Sequence, residues 1–280
     1  LGAREHAATA AGVLAELEQR ARPPIRVESL GRFRVVRDGV PVAPSEWQSK
    51  KARDLLKLLV ARRGRPAQRD TIMEALWPGG DPAKLTNRLS VALSTIRSVL
   101  DPERRLAPEA FIASGRDAVA LKIGALELDV ELFFTAANAG RASMRDGRAQ
   151  TAREHFLAAE AIYGGDFLDE DAYEDWAAPV REEARAAYIE VAHALADDAS
   201  AHDDPQAAQR YLLRALEKDP FDERAHLALV DALSAGGRHG DARRAYRGYA
   251  ARMQELAIEP APFRPRREAH PHAAGAAGVS

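Results

Sequence analysis

Between Pro82 and Leu100 the sequence sets Lys84, Asn87, Arg88, Val91, Ser94, Thr95 and Ser98 at helical spacing, opposite a stripe of Leu85, Leu89, Leu93, Ile96 and Leu100. A duplex major groove admits one α-helix, and arginine and asparagine are the side chains that pair bidentately with guanine and adenine edges. Asn87 and Arg88 therefore suit base readout, and Lys84 adds charge beside them. Ser94 and Thr95 are short enough to meet a phosphate or a thymine methyl, and Arg97, nearer the apolar edge, suits a phosphate. An ordinary solvated helix face has the same pattern, so this stretch alone leaves the two readings level.

Other cations flank it. Lys50, Lys51, Arg53 and Lys57 share one predicted helix, and Arg62, Arg63, Arg65 and Arg69 surround the next chain break. Such residues position a protein on DNA through phosphates without reading its sequence, and snorkelling surface side chains are the plain alternative. Arg116 lies between two short apolar runs, at the tip of a predicted hairpin, where one cation can enter a minor groove or simply close a turn. Charge is divided along the chain. From residue 26 to 121, Lys and Arg outnumber Asp and Glu by 18 to 11; from 122 to 260 the acids lead by 27 to 16. A basic module followed by an acidic one is the pattern of a polyanion reader joined to a part that does not touch the polyanion.

Several classes of chemistry are missing. The chain has no cysteine, which removes disulfides, thiolate metal sites and cysteine nucleophiles. No phosphate-binding glycine loop, dinucleotide fingerprint, HExxH or GxSxG occurs, and the histidines are scattered. The acids Asp166, Asp169, Glu170, Asp171, Glu174 and Asp175 lack EF-hand spacing and read as a solvated loop, with Tyr173 and Trp176 as its packing anchors. The expectation is a protein that is not an enzyme and holds no cofactor or metal. No apolar run approaches the ~18 residues of a spanning helix, and Arg4, Glu5 and His6 fall where a signal peptide would be apolar, so a cytoplasmic protein without a membrane partner is expected. The first residue, Leu1, is read as the start of a piece of a longer polypeptide or of a processed chain.

The elements that must position these residues follow from periodicity and punctuation. Residues 3 to 21 are a predicted helix stopped by Pro23-Pro24. Loose alternation from Ile25 to Val36, then Asp38-Gly39 and Val40-Pro41-Val42, predicts a small antiparallel sheet with a two-residue turn. Helices are predicted over 46–62, 69–76 and 82–100, the last opening on Asp81-Pro82 and ending at Asp101-Pro102, and a hairpin over 111–114 and 119–121. Sheet, three helices and hairpin make a winged helix-turn-helix. Beyond Asp129, helices are predicted over 129–146, 149–163, 174–199, 205–217, 222–235 and 239–256. Ala207-Ala208-Gln209-Arg210-Tyr211 recurs around Ala242-Arg243-Arg244-Ala245-Tyr246, a spacing of 34 residues that matches tetratricopeptide helix pairs.

The run from Trp47 to Leu59, the segment Arg69 to Pro78, the helix from Leu85 to Leu100, and an acidic helical region closing on Ile258-Glu259-Pro260 together resemble the Streptomyces antibiotic regulatory protein type of activator. The resemblance covers residues 25 to 260. Such proteins join an OmpR-type winged helix to a bacterial transcriptional activator domain built of tetratricopeptide-like helices. The resemblance implies promoter binding with recruitment of RNA polymerase, often as a homodimer on direct repeats. It places the recognition helix on Leu85 to Leu100, with Asn87, Arg88, Ser94, Thr95 and Arg97 facing DNA. The loop Pro78, Gly79, Gly80 and Asp81 then corresponds to the polymerase-contact region. Thr95 and Ser98 stand where related helices often carry arginine, and Asp117-Ala118-Val119 replaces the usual glycine-tyrosine end of the wing. The same pair of domains can also close a much larger regulator.

The fold class expected is mainly α: a winged helix-turn-helix of α+β type over 25–123, then an all-α tetratricopeptide-like repeat domain over 124–260. Residues 1–24 are expected to be a linker or the end of a preceding helical region, and 261–280 a disordered tail. The function expected is a sequence-specific DNA-binding regulator acting on double-stranded promoter DNA in the bacterial cytoplasm, at the nucleoid. The alternative is a tetratricopeptide-like adaptor whose winged helix does not read DNA.

Overall fold

The computed structural model describes residues 25–263; the predicted helix over 3–21 and the tail from Arg264 onward lie outside the described residues. The chain forms two compact units, one up to Tyr188 and one from Ile189.

The first unit opens with strands β1 (Ile25–Glu28), β2 (Arg34–Arg37) and β3 (Val40–Pro41). The β2–β3 hairpin turns through Asp38 (φ 50°) and Gly39 (φ 81°), the pair of positive angles that a tight two-residue hairpin demands. Strand β7 (Glu127–Leu128) pairs parallel to β1, giving a sheet of order β3-β2-β1-β7. Ile25 and Val27 turn inward from β1, while Arg26 faces out.

Helix α1 (Lys50–Ala61) starts later than the predicted residue 46. Gln48 takes a left-handed conformation (φ 50°), so Pro44–Trp47 closes as a separate 3₁₀ turn, with the Ala43 amide donating to Glu46 at 3.0 Å. Strand β4 (Ala67–Gln68), α2 (Arg69–Leu76) and α3 (Pro82–Leu100) follow, then strands β5 (Ile112–Ser114) and β6 (Ala118–Leu121). The wing is thus a three-stranded sheet of order β4-β6-β5 rather than a bare hairpin. The apolar stripe of α3 is buried as its spacing requires, with Leu89 and Ile96 fully inaccessible.

Helices α4 (Asp129–Arg145) and α5 (Ala149–Ile162) form a hairpin in the same unit. Gly140 is required there, since a Cβ would stand 2.5 Å from the Phe156 ring. The loop after α5 lies along the end of β1: Leu30 bridges Phe167, Gly31 donates to the Asp166 carbonyl at 2.9 Å, and Leu168 donates to the Ser29 carbonyl at 2.8 Å. Buried Arg181 ties the loop further, donating to the Phe167, Ala172 and Asp171 carbonyls. This acidic stretch is therefore a strap, a loop docked through its backbone, with Asp169, Glu170, Glu174 and Asp175 solvated as expected and Asp166 and Asp171 partly buried. Tyr173 does not anchor it: the side chain is 100% exposed.

The second unit holds the C-terminal part of α6 (Ala178–Ala201), then α7 (Pro205–Lys218), α8 (Glu223–Ala235) and α9 (His239–Glu255). Its core is built on alanines, which let helix backbones approach closely; Ala208, Ala215, Ala225 and Ala242 are inaccessible. Ala208 and Ala242, the residues 34 apart, occupy equivalent buried places at the starts of α7 and α9. Asp204 and Asp222 cap α7 and α8 by accepting from the Ala207 and Ala225 amides, both at 2.9 Å. Residues expected to begin the tail are held instead. The Ala261 amide donates to the Tyr249 hydroxyl at 2.7 Å, Tyr246 donates to the Ala261 carbonyl at 2.9 Å, and Phe263 meets the Tyr246 ring edge-on.

Candidate nucleic-acid interface

Helix α3 is set by its first turns. Gly79 (φ 70°) turns the chain after Trp77, and Gly80 packs so closely on Leu85 that an added Cβ would stand 2.7 Å from it. With Leu85, Leu89, Leu93 and Ile96 locked inward, Lys84, Asn87, Arg88, Val91, Ser94 and Ser98 emerge on the exposed face. Lys84 stands 4.0 Å from Asp81, too loose and too exposed a pair to neutralise it. Asn87 and Arg88 make no hydrogen bond or ion pair among the described residues.

The hydroxyls on this helix differ in what they still have to offer. Thr86, Ser90 and Thr95 donate back to the carbonyls of Pro82, Thr86 and Val91, at 3.1, 2.9 and 3.0 Å. Half-buried Thr95 therefore presents a methyl and an acceptor, not a donor for phosphate. Ser94 and Ser98 make no hydrogen bond among the described residues, so their donors are uncommitted. Arg97 is half-buried, with its Nε enclosed and without a partner, facing a pocket beside the helix.

The remaining cations divide into two groups. Arg116 is exposed at the wing tip, while Arg69 braces the wing from behind, its Nη2 donating to Ser114 at 2.8 Å and its Nε to the Gly115 carbonyl at 3.2 Å. Lys50 is exposed, and Lys51 lies 3.8 Å from Asp54, whose burial raises its pKa against the pull of the neighbouring lysines. Arg53 is turned the other way. Its Nη2 donates to the Phe33 carbonyl at 3.0 Å and to Glu170 at 3.4 Å, and its guanidinium lies 5.4 Å over the Phe33 ring. Lys57 is buried, 2.5 Å from Asp171. Arg63 pairs with Glu131 and Glu183 and stacks on Phe134 at 4.2 Å. Arg53, Lys57 and Arg63 thus lack the free charge that phosphate contact needs, because acids 68 to 120 residues away in sequence consume it.

Sequence reasoning missed Asp129 altogether. Its carboxylate is buried at the start of α4 and accepts from the Ser29 amide (2.7 Å), the Ser29 hydroxyl (2.6 Å), the Leu30 amide (2.9 Å) and its neighbour Val130 (2.7 Å). Burial raises its pKa, and the four donors oppose that rise. No local pattern signals a contact across 100 residues. Among the described residues no group of acids or histidines is arranged to hold a metal, and no helix is long and apolar enough to cross a membrane.

An N-terminal sheet, three helices with an exposed polar face on the third, a three-stranded wing and a run of paired helices are the architecture of an OmpR-type winged helix followed by a helical activator domain. Residues 47–112 match the C-terminal domain of transcriptional regulatory proteins and residues 128–267 match the bacterial transcriptional activator domain; the chain belongs to the family of regulators that carry this activator domain. Over 239 residues it is 28% identical to the transcriptional regulatory protein EmbR of Mycobacterium bovis and to that of Mycobacterium tuberculosis, covering 83% of this chain and 59% of EmbR. The solved structure of Mycobacterium tuberculosis EmbR in complex with a low affinity phosphopeptide aligns with a TM-score of 0.70 at 25% identity, over 85% of this chain and 62% of that one. The chain thus spans about three fifths of the length of these relatives.

Proposed function

We propose that this chain is the DNA-binding and activator portion of a bacterial transcriptional activator, reading promoter DNA with α3. The observation that carries the reading is the exposed face of α3, where Asn87 and Arg88 stand without intramolecular partners beside Lys84. In this reading Asn87 and Arg88 take base edges, Val91 meets a thymine methyl, and Ser94 donates to phosphate. Lys50 and Lys51 hold the backbone, and Arg116 lies in the adjacent minor groove. We leave Arg53 and Arg97 off the DNA face, since one is engaged with Glu170 and the other faces a pocket. The winged helix over 25–123 is the DNA module and the region 124–260 the regulatory module. The exposed turn from Pro78 to Asp81 is the contact for RNA polymerase, and pairing of two copies on direct repeats completes the complex.

A shift assay over promoter fragments from the source genome, repeated across a salt series, tests the reading. Specific complexes that weaken with salt, and that Arg88→Ala weakens further, are the expected result. Absence of binding to every fragment at low salt would overturn it in favour of a protein adaptor.

A further inference from the structure

Beside the C-terminal half of α3 lies a pocket of about 300 Å³, open to solvent on one side, between that helix and the chain that leads from it to the wing. Arg97 and Ser98 form its helix wall, and Arg104, Leu106, Pro108 and Phe111 form the other. The Arg97 Nε is buried there without a hydrogen-bond acceptor, a state that native structures rarely leave unexplained. Arg104 is held at a left-handed φ of 53°, and its neighbour Arg105, not Arg104, pairs with Glu103. Asp101 is the acid on the wall. Its two oxygens accept from the Arg105 and Leu106 amides, at 3.0 and 2.8 Å, so it shapes the loop and pairs with neither guanidinium, leaving two cations against one acid on the wall. Opposite them Leu106 is 50% exposed, an apolar surface with nothing over it among the described residues.

We propose that this pocket binds a small amphipathic organic anion, a carboxylate carried on an aromatic or branched apolar body. Arg97 and Arg104 take the carboxylate, for which the planar guanidinium fork is suited, and Leu106, Pro108 and Phe111 take the body. The volume lies at the small end of the range for ligand sites, about 300–1,000 Å³, and the lining is the usual mixture of apolar surface with a few convergent polar groups. The proposal rests on the pocket alone and not on the DNA reading.

Calorimetric titration of the full chain, without DNA, with naphthoate and with the uncharged naphthalenemethanol tests it. Saturable naphthoate binding at sub-millimolar concentration is expected, weakened at least tenfold by Arg97→Gln or Arg104→Gln, by Leu106→Asp, and by replacing the carboxylate with the alcohol. Far-ultraviolet circular dichroism of each variant excludes misfolding as the cause. Failure of naphthoate to saturate, equal binding of the alcohol, or indifference to both arginine substitutions overturns the proposal. So does a variant at Arg97 that lowers DNA affinity while leaving naphthoate binding unchanged, because the guanidinium then serves a backbone phosphate.

Discussion

The Lys57 ammonium of α1 sits 2.5 Å from the Asp171 carboxylate, with the lysine side chain only 5% exposed, and so fastens the winged helix to the strap that follows α5. A buried ion pair recovers little net stability, because both charges were taken out of water, yet either charge left alone inside is expensive. Asp171→Ala strands the ammonium and is expected to lower unfolding free energy by about 3 kcal/mol. The double substitution Lys57→Met with Asp171→Ala is expected to recover most of that loss. Urea denaturation of the three variants measures it, and additive losses in the double variant would show that the pair is not coupled.

Asp129 holds three backbone amides, those of Ser29, Leu30 and Val130, at the junction of β1 and α4. Asp129→Ala leaves those donors buried without acceptors, and a loss on the order of 3 kcal/mol is expected; Asp129→Asn, which keeps one acceptor oxygen, should cost less. Burial raises the pKa of this carboxyl, so the folded state binds its proton more tightly than the unfolded chain does. Its contribution to stability is thus full below the unfolded value, near 3.9, and declines as pH rises through the higher folded value. Carbon-13 NMR titration should place the Asp129 carboxyl above the ordinary aspartate range; a value below that range would contradict the account.

The elements were legible where their signals are local. Helix α2 spans Arg69–Leu76 and α3 Pro82–Leu100, both as predicted, because Pro82 at a first helical position, a 3.6-residue leucine period and Asp101-Pro102 are all encoded within one segment. Strands β4 and β7 are two residues each and exist only through pairing with β6 and β1, so no alternation within them could reveal them. Charge was legible as a total and not as an assignment. Lys50 and Lys57 are the same residue type on one helix, and only the placement of Asp171, 114 residues on, makes one a free cation and the other a buried structural pair. The face of α3 was readable from spacing, but the back-bonding of Thr95 and the enclosure of Arg97 depend on rotamers and on the loop that closes over the helix end.

Asp222 makes the opposite pH linkage in the second unit. Burial pushes its carboxyl up, but hydrogen bonds from His193, at 2.6 Å, and from the Ala225 amide outweigh that and hold its pKa below the usual aspartate value. A carboxyl with a depressed folded value stabilises fully above the unfolded value near 3.9 and loses that contribution as pH falls through the folded one. Asp222→Ala, which removes both a helix cap and the partner of a buried histidine, is expected to cost roughly 2 kcal/mol at neutral pH. The cost should shrink on acidification below pH ~4 as the wild-type carboxyl itself protonates. Thermal melts at pH 7 and at pH 3 provide the comparison, and an undiminished cost at the lower pH would refute the linkage.

The partition of cations into free and engaged groups yields the sharpest contrast for DNA binding. Arg88 is exposed without a partner on α3, Arg116 is exposed at the wing tip, and Arg53 is engaged with Glu170 and Phe33. On the proposed reading Arg88→Ala removes a base contact, so it is expected to cost about 1–3 kcal/mol on the preferred fragment while relaxing discrimination against mismatched sites. Arg116→Ala removes charge without base readout, so it should weaken all fragments alike and reduce the slope of log affinity against log salt by about 1. Arg53→Ala should leave both the affinity and the salt slope unchanged, and appear instead as a loss of folding stability where the strap meets the sheet. Fluorescence anisotropy with matched and mismatched duplexes at several salt concentrations separates the three. A salt slope that falls for Arg53→Ala but not for Arg116→Ala would place the duplex against the Arg53 side of the module, by Phe33 and Glu170, and not against α3 and the wing.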